Sequence, residues 1–454
     1  MWKPTLDNEA ETLTGKLLNA MRRDIRSGAL EPGSRLPTHR ELAHRLGVAV
    51  GTVTAAYAQA TRQGLIAARV GRGSFVLPIA PAEEKGDVNL SYNIPPLEPA
   101  ARHLAAALKN LRSRRDLLDS LGYAPPAGLE AHRRAGAAWL TRRCTFAIAD
   151  PSRLIVTCGA QQATALVLNA LAGPGEPLLT EAATFFGVKT LAHHAGYELH
   201  GVAMDEEGLL PQALDRAASS SRARFAYVLP TLQNPTGRIM GARRRADIAQ
   251  VARRRKLWII EDDTFGAFAA GNAPPPLATF APERTIYISG LSKIIAPGLR
   301  TAYLQAPDDD IREKIEATIR ATSLSLNSIS SLIACQWIED GTADAIADTV
   351  TAEIGARNAL VRRKLGRLLE KEADGRCPHL WIPLGELEAE RLAARAQRGG
   401  VLLTPPDAPV VNRQLISGVR LCVGGELSQA RLEGAIDVVA DALAAGRERS
   451  LTLV

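Results

Sequence analysis

The chain has 454 residues, 46% of them hydrophobic, and a net charge of +7. That size and composition exclude a disordered chain and suit more than one domain, and no apolar run approaches the roughly 18 residues of a membrane helix. The N-terminus MWKPTLDNEAETLTGK lacks the charged-then-apolar order of a signal peptide, so a cytoplasmic location is expected. The five cysteines (Cys144, Cys158, Cys335, Cys377 and Cys422) are scattered, with no CxxC pair and no histidine at ligand spacing. They predict reduced, structural thiols and no metal.

Eleven Lys/Arg against six Asp/Glu place +5 of the +7 within residues 1–78, a balance that favours an anionic partner such as DNA. Leu13, Leu17, Met21 and Ile25 recur every four residues and predict one face of a helix ending near Gly28. Thr38 and Glu41 make a T-x-x-E capping box for a second helix, which Gly47 stops after Leu46. A third helix is predicted from about Thr52 to Gln63, with Val53, Ala56, Tyr57 and Ala60 on one side. Two helices joined by a short Gly-containing turn make a helix-turn-helix, whose second helix enters the major groove. LIAARVGRGSFV (65–76) follows as two extended runs around Gly71-Arg72-Gly73, a wing with a cation at its tip.

In combination, SGALEPGSRLPTHRELAHRLGV, TVTAAY and VGRGSFV resemble the GntR-type winged-helix DNA-binding domain over residues 7–78. The resemblance implies that Arg40 and Arg72 contact phosphate or bases, that Thr52 and Thr54 lie on the recognition helix, and that Arg35 fixes the turn. Val50 stands where several relatives place a base-reading arginine. An apolar side chain there can meet a thymine methyl but cannot hydrogen-bond guanine.

LPIAPAEEKGDVNLSYNIPPLEPA (77–100) carries five prolines and a charged cluster. It predicts a linker over 79–99 between a domain at 1–78 and one at 100–454. Beyond it, the apolar runs RLIVTC (153–158), FAYVLP (225–230), LWIIED (257–262) and TIYIS (285–289) alternate with helical stretches. Such runs predict strands buried on both faces of a mostly parallel sheet, hence an α/β fold with ligands at the carboxyl ends of strands.

Candidate groups fall at those ends. After RLIVTC come Gly159-Ala160-Gln161 and a helix start able to hold a phosphate. Acids follow LWII at Glu261-Asp262-Asp263, and Gly290-Leu291-Ser292-Lys293 follow TIYIS. A desolvated lysine there is a nucleophile towards aldehydes. Lysine, carboxylate and phosphate cradle are what pyridoxal 5′-phosphate requires.

GAQQA, QNPTG, EDDTFGAF, SGLSKIIAPGLR and GVRL stand in the order of the fold-type I, aspartate-aminotransferase-like enzymes, a resemblance covering about residues 100–454. It implies that Lys293 forms the aldimine with pyridoxal 5′-phosphate, Asp262 pairs with the pyridinium nitrogen, and Asn234 bonds the ring oxygen. Phe185 would stack on the ring. Ala160 and Gln161 through their backbone, with Ser292 and Arg300, would hold the phosphate. Tyr123 matches a tyrosine that reaches the neighbouring subunit's cofactor, which implies a homodimer, and Arg420 matches the arginine that grips a substrate carboxylate.

A winged helix fused to such a domain resembles the MocR family of bacterial transcriptional regulators. The expected function is then regulation of promoter DNA by an amino compound, or the cofactor itself, sensed at Lys293. Two other classes stay open: a genuine aminotransferase with an accessory DNA-binding domain, and a DNA-binding regulator whose large domain only dimerises. Aminotransferases usually have a tyrosine shortly after the ring-nitrogen aspartate. Here Thr264 and Phe265 follow, and Gly290 replaces a phosphate-binding serine or threonine. Slow or absent turnover is expected.

Overall fold

The computed structural model describes residues 2–6, 12–26, 28–31, 33–62, 65–69, 73–77, 86–114, 116–148, 150–325, 328–371, 374–426 and 428–451. The chain divides into two units, Met1–Gly86 and Asp87–Val454.

In the first unit α1 spans Leu13–Arg26, α2 His39–Leu46 and α3 Val50–Arg62. The capping box of α2 forms as read: Thr38 Oγ1 accepts the Glu41 N–H, and the Glu41 carboxylate accepts the Thr38 N–H at 2.8 Å. Hydrogen bonding from the Thr38 backbone N–H, and then from the Thr38 hydroxyl, holds the Glu41 carboxyl below its usual range. Gly47 closes the helix at φ 65°, a left-handed conformation that glycine adopts without steric cost. Leu17, Met21, Leu42, Val53, Ala56, Tyr57 and Ala60 form one core, and each large apolar side chain buried this way contributes about 1.5–3 kcal/mol. Leu13, expected on that face, is exposed at the first position of α1. α3 starts two residues before the expected Thr52, because its first turn closes on Ala49 O.

β1 (Ile66–Arg69) and β2 (Gly73–Val76) pair antiparallel as the wing. A third extended stretch joins them: the Leu36 N–H donates to Ser74 O and the Val76 N–H to Ser34 O. Arg35 lies in this pairing opposite Phe75, which ties the approach to α2 against the wing. Arg72 lies outside the described residues.

The described residues of the second unit form thirteen strands: β3 (Val88–Asn89), β4 (Leu154–Thr157), β5 (Pro177–Glu181), β6 (Glu198–Val202), the pair β7 (Met204–Asp205) and β8 (Gly208–Leu209), β9 (Phe225–Val228), β10 (Trp258–Asp262), β11 (Thr285–Gly290), β12 (Ala302–Gln305), β13 (His379–Pro383), β14 (Val401–Leu402) and β15 (Gly418–Cys422). Seven form the central sheet in the order β4-β12-β11-β10-β9-β5-β6, with β12 antiparallel to both neighbours and the other pairs parallel. β4, β9 and β11 are buried throughout, as the four apolar runs require. β13 and β15 pair antiparallel beyond this sheet, placing Trp381 opposite Arg420. Among the described residues no helix is long and apolar enough to cross a membrane, and no cluster of His, Cys, Asp and Glu is arranged to hold a metal.

The linker expected over 79–99 ends sooner. β3 pairs parallel with β14, the Leu90 N–H donates to Leu402 O, and a helix starts at Glu98. Val88 and Leu90 are buried while Asn89 and Ser91 are less so, the alternation of a strand, which the surrounding prolines and charges obscured. Residues 78–85 lie outside the described part of the chain.

Candidate functional site

β11 ends at Gly290, and β12 returns beside it with Ala302 opposite Gly290. Residues 291–301 are therefore a tight connection, closed by the Leu291 N–H on Thr301 O at 3.0 Å. Arg300 turns in the left-handed region at φ 43°, and its Nη2 donates to Cys158 O at 2.9 Å, at the end of β4. This return brings Ser292, Lys293 and Arg300 to the start of the helix Ala160–Leu171. One cavity is lined by Ala160, Gln161, Phe185, Asn234, Asp262, Gly290, Ser292, Lys293 and Arg300, with Leu229, Thr264, Phe265 and Pro297. Every expected cofactor residue except Tyr123 is among them.

Lys293 Nζ donates to Asn93 O at 2.8 Å. Burial lowers its pKa, with Arg420 and Arg300 pushing the same way and Cys422 and Asp262 opposing. The amine is thus biased towards the neutral nucleophile. Asn93, inside the expected linker, continues inward: its Nδ2 lies 2.9 Å from His379 Nδ1, and His379 Nε2 lies 3.0 Å from Gln233 O. A carbonyl only accepts, so Nε2 carries the proton and Nδ1 accepts from Asn93. Burial holds the His379 imidazole neutral, pushed down to about 3.

Asp262, at the end of β10, is the most heavily hydrogen-bonded acid of the site. Tyr227 on β9 donates to Oδ2 at 2.5 Å, while the Thr264 backbone N–H (3.0 Å) and the Thr264 hydroxyl donate to Oδ1. Burial, and then the neighbouring Asp262, raise Tyr227 well above its ordinary pKa and keep it a donor. These donors fix the orientation of the Asp262 carboxyl group, which lines the cavity. The Thr264 hydroxyl is therefore engaged on Asp262, and Phe265 has none to offer. Tyr227 escaped notice within FAYVLP; a tyrosine in a strand buried on both faces needs a partner for its hydroxyl, and that was the available signal.

The anion cradle passes a specific test. Ser292 Oγ is buried without a hydrogen-bond partner, beside Arg300 and the uncapped start of the helix at Ala160. An orphaned hydroxyl, a guanidinium and free helix N–H groups are complementary to a phosphate. Gly159 is required there, since a Cβ would lie 2.7 Å from Arg300 Nη2 at a φ of +88°. Gly290 offers no side chain, and the Gln161 amide is turned away onto Gly187 O at 2.8 Å.

Arg420 does not line this cavity. It is buried behind it on β15, donating to Asn234 Oδ1 (2.7 Å), Thr404 Oγ1 (3.1 Å) and Ser91 O (2.8 Å). Tyr123 is 85% exposed and stands away from its own chain's cavity. In the first unit, Arg40 is exposed on α2 and Val50, 45% exposed, opens α3. Thr52 is half-buried and Thr54 exposed. The Thr54 hydroxyl donates to Val50 O at 3.0 Å and lies 3.2 Å from His39 Nδ1.

A lysine, a carboxylate and an anion cradle around one cavity, at the carboxyl edge of a mostly parallel sheet, define a fold-type I pyridoxal-phosphate domain. Residues 85–439 match the model of aminotransferase class I and II, and residues 13–76 that of the gntR family of bacterial regulatory proteins. The chain belongs to the aminotransferase class I and II family, whose cofactor is pyridoxal 5′-phosphate, and carries a gntR-family domain at its N-terminus. It is 27% identical over 369 residues to the uncharacterized HTH-type transcriptional regulator YdeF of Bacillus subtilis, covering 80% of this chain and 79% of that one. It is 29% identical over 324 residues to the HTH-type pyridoxine biosynthesis transcriptional regulator PdxR of Corynebacterium glutamicum, covering 69% and 70%. Among solved structures, LysN, the α-aminoadipate aminotransferase of Thermus thermophilus complexed with N-(5′-phosphopyridoxyl)-L-leucine, superposes with a TM-score of 0.70 at 25% identity over 82% of this chain and 94% of that one.

Proposed function

We propose that this chain is a MocR-type transcriptional regulator that binds promoter DNA through its winged helix and senses an amino compound at Lys293. The observation that carries this reading is the convergence of Lys293, Asp262, Asn234 and the Ser292–Arg300 cradle on one cavity, in a chain that also holds a gntR-family domain. When bound, pyridoxal phosphate supplies an aldehyde that condenses reversibly with amines. Lys293, biased towards the neutral amine by burial, would anchor it; Asp262 would hold the ring nitrogen, Asn234 the ring oxygen, and Phe185 would cover the ring. Arg420 receives the carboxylate of an incoming amino acid after exchanging its bond to Asn234. Arg40, Thr52, Thr54 and Arg72 meet DNA.

The working form is a cytoplasmic homodimer in which Tyr123 reaches the partner's cofactor phosphate. An amino compound shifts DNA binding only by favouring one arrangement of the two DNA-binding heads over the other. Aminotransferase turnover is the second reading, favoured by the intact Lys293–Asp262 pair. It is disfavoured by Phe265 and by the engagement of the Thr264 hydroxyl on Asp262, which leave the ring oxygen without a tyrosine donor from this loop.

The deciding experiment titrates a panel of amines and amino acids into the cofactor-loaded protein, following cofactor absorbance and promoter binding on one sample. Coupled changes in both signals support regulation. Steady-state conversion of amino donors and 2-oxo acids at several turnovers per second, the ordinary range of enzymes, would make the protein an aminotransferase.

A further inference from the structure

A second cavity, of about 400 Å³, lies at the other end of the sheet. Thr285, which begins β11, Gln305, which ends β12, and Arg153, which leads into β4, all line it. Five residue steps of β11, about 17 Å at some 3.3 Å per residue, separate Thr285 from Gly290 in the cofactor site. Gln305 pairs with Tyr287, so Thr285 and Gln305 are diagonal neighbours on one sheet face, within reach of one small molecule.

Three buried polar atoms of the residues lining this cavity are unsatisfied. Thr285 Oγ1, Gln305 Oε1 and Arg153 Nε have no hydrogen-bond partner, and Thr285 is only 2% exposed. Each such buried group left unpaired costs about 1–3 kcal/mol, and natural cores carry few of them. The neighbouring bonds fix which way these groups face. Gln305 Nε2 donates to Ala306 O at 3.2 Å and Arg153 Nη1 to Pro307 O at 3.3 Å, which leaves Oε1 to accept and Nε–H to donate.

Charge narrows the ligand. Asp150 and Asp309 carboxylate oxygens lie 3.8 and 3.9 Å from Arg153 Nε, beyond hydrogen-bond reach but close enough to offset the guanidinium charge. Arg312 also pairs with Asp309 at 3.4 Å, so two carboxylates balance two guanidiniums and no net positive charge is left to attract an anionic ligand. Phe146, Pro275 and Pro282 supply apolar walls suited to a flat body.

We propose that this cavity binds a neutral, planar small molecule presenting a hydrogen-bond acceptor beside a donor, such as a carboxamide or lactam on an aromatic ring. The acceptor takes the Arg153 Nε–H, the donor meets Gln305 Oε1, and the Thr285 hydroxyl completes either partner. The site is independent of the reading of Lys293.

The probe is nicotinamide, with benzoate as its anionic counterpart of similar size, added to the full-length, cofactor-loaded protein and followed by saturation-transfer NMR and calorimetry. Nicotinamide is expected to bind and benzoate to bind at least tenfold more weakly, on the order of one lost charge-compatible contact. Gln305→Met and Thr285→Val should each weaken nicotinamide roughly tenfold, while Lys293→Ala leaves it unchanged. Gln305 is only half-buried, so its variant keeps the test alive if Thr285→Val does not fold. Absence of nicotinamide binding, equal binding of benzoate, indifference to Gln305→Met, or loss in Lys293→Ala would each overturn the proposal in favour of water filling or binding at the cofactor site.

Discussion

Arg420 Nη1 donates to Asn234 Oδ1 at 2.7 Å, across 186 positions of sequence. The residue proposed to grip a ligand carboxylate therefore occupies the residue proposed to hold the ring oxygen, and both are almost fully buried. A carboxylate-bearing ligand has to replace this bond with a stronger, bidentate one.

Arg420→Lys keeps the charge and removes the fork. The concentration of amino acid needed to change cofactor absorbance should rise by about tenfold or more, on the scale of one charge-assisted hydrogen bond. The corresponding decarboxylated amine should respond as in the wild type. An equal loss for both compounds would place Arg420 in the architecture of the site and not in carboxylate recognition.

Lys293→Ala should abolish covalent capture of pyridoxal phosphate by borohydride, read by intact mass, together with the response to amines. The melting temperature should fall little, because among the described residues the Lys293 amine makes one hydrogen bond, to Asn93 O. A reducible adduct persisting in the variant would assign the anchor to another lysine.

Tyr227→Phe removes one of three donors to Asp262. A buried hydrogen bond to a charged group contributes about 1.5–3 kcal/mol, so cofactor affinity, measured by absorbance titration, should drop roughly tenfold to a hundredfold. Thr264→Val should act in the same direction, since its hydroxyl also serves Asp262. Unchanged affinity in both variants would detach Asp262 from the ring nitrogen.

Arg40→Ala should weaken promoter binding and reduce the slope of log affinity against log salt by about one unit, the signature of one lost phosphate contact. Arg72→Ala should behave similarly, and the natural site should contain paired half-sites. Binding isotherms at three or more salt concentrations decide this; parallel, unshifted lines for both variants would remove these arginines from the interface.

His379 supplies the clearest pH dependence. Burial holds its imidazole down at about 3 against an ordinary value of 6.5, so below about pH 6.5 the unfolded chain takes up a proton that the folded chain refuses. Stability should fall as pH drops from there towards 3. His379→Gln, neutral throughout and able both to donate and to accept, should lose melting temperature less steeply over that window. Parallel losses in variant and wild type would transfer the acid sensitivity to other groups.

Sequence alone determined what short-range chemistry controls. The Thr38–Glu41 box and Gly47 delimit α2 because caps act within one turn. The run TIYIS declares a strand buried on both faces, and Lys293 with Ser292 just after it falls at a carboxyl end by that count. Tertiary structure decided the rest. Asn93 reads as linker between prolines, yet its carbonyl holds Lys293 from 200 positions away. Tyr227 and Asp262 sit on adjacent strands 35 residues apart, and β12 enters the sheet antiparallel, which makes the Ser292–Arg300 return possible. Hydrogen bonds of this kind depend on which strands become neighbours, a choice made by packing many apolar faces together and written into no local stretch of residues.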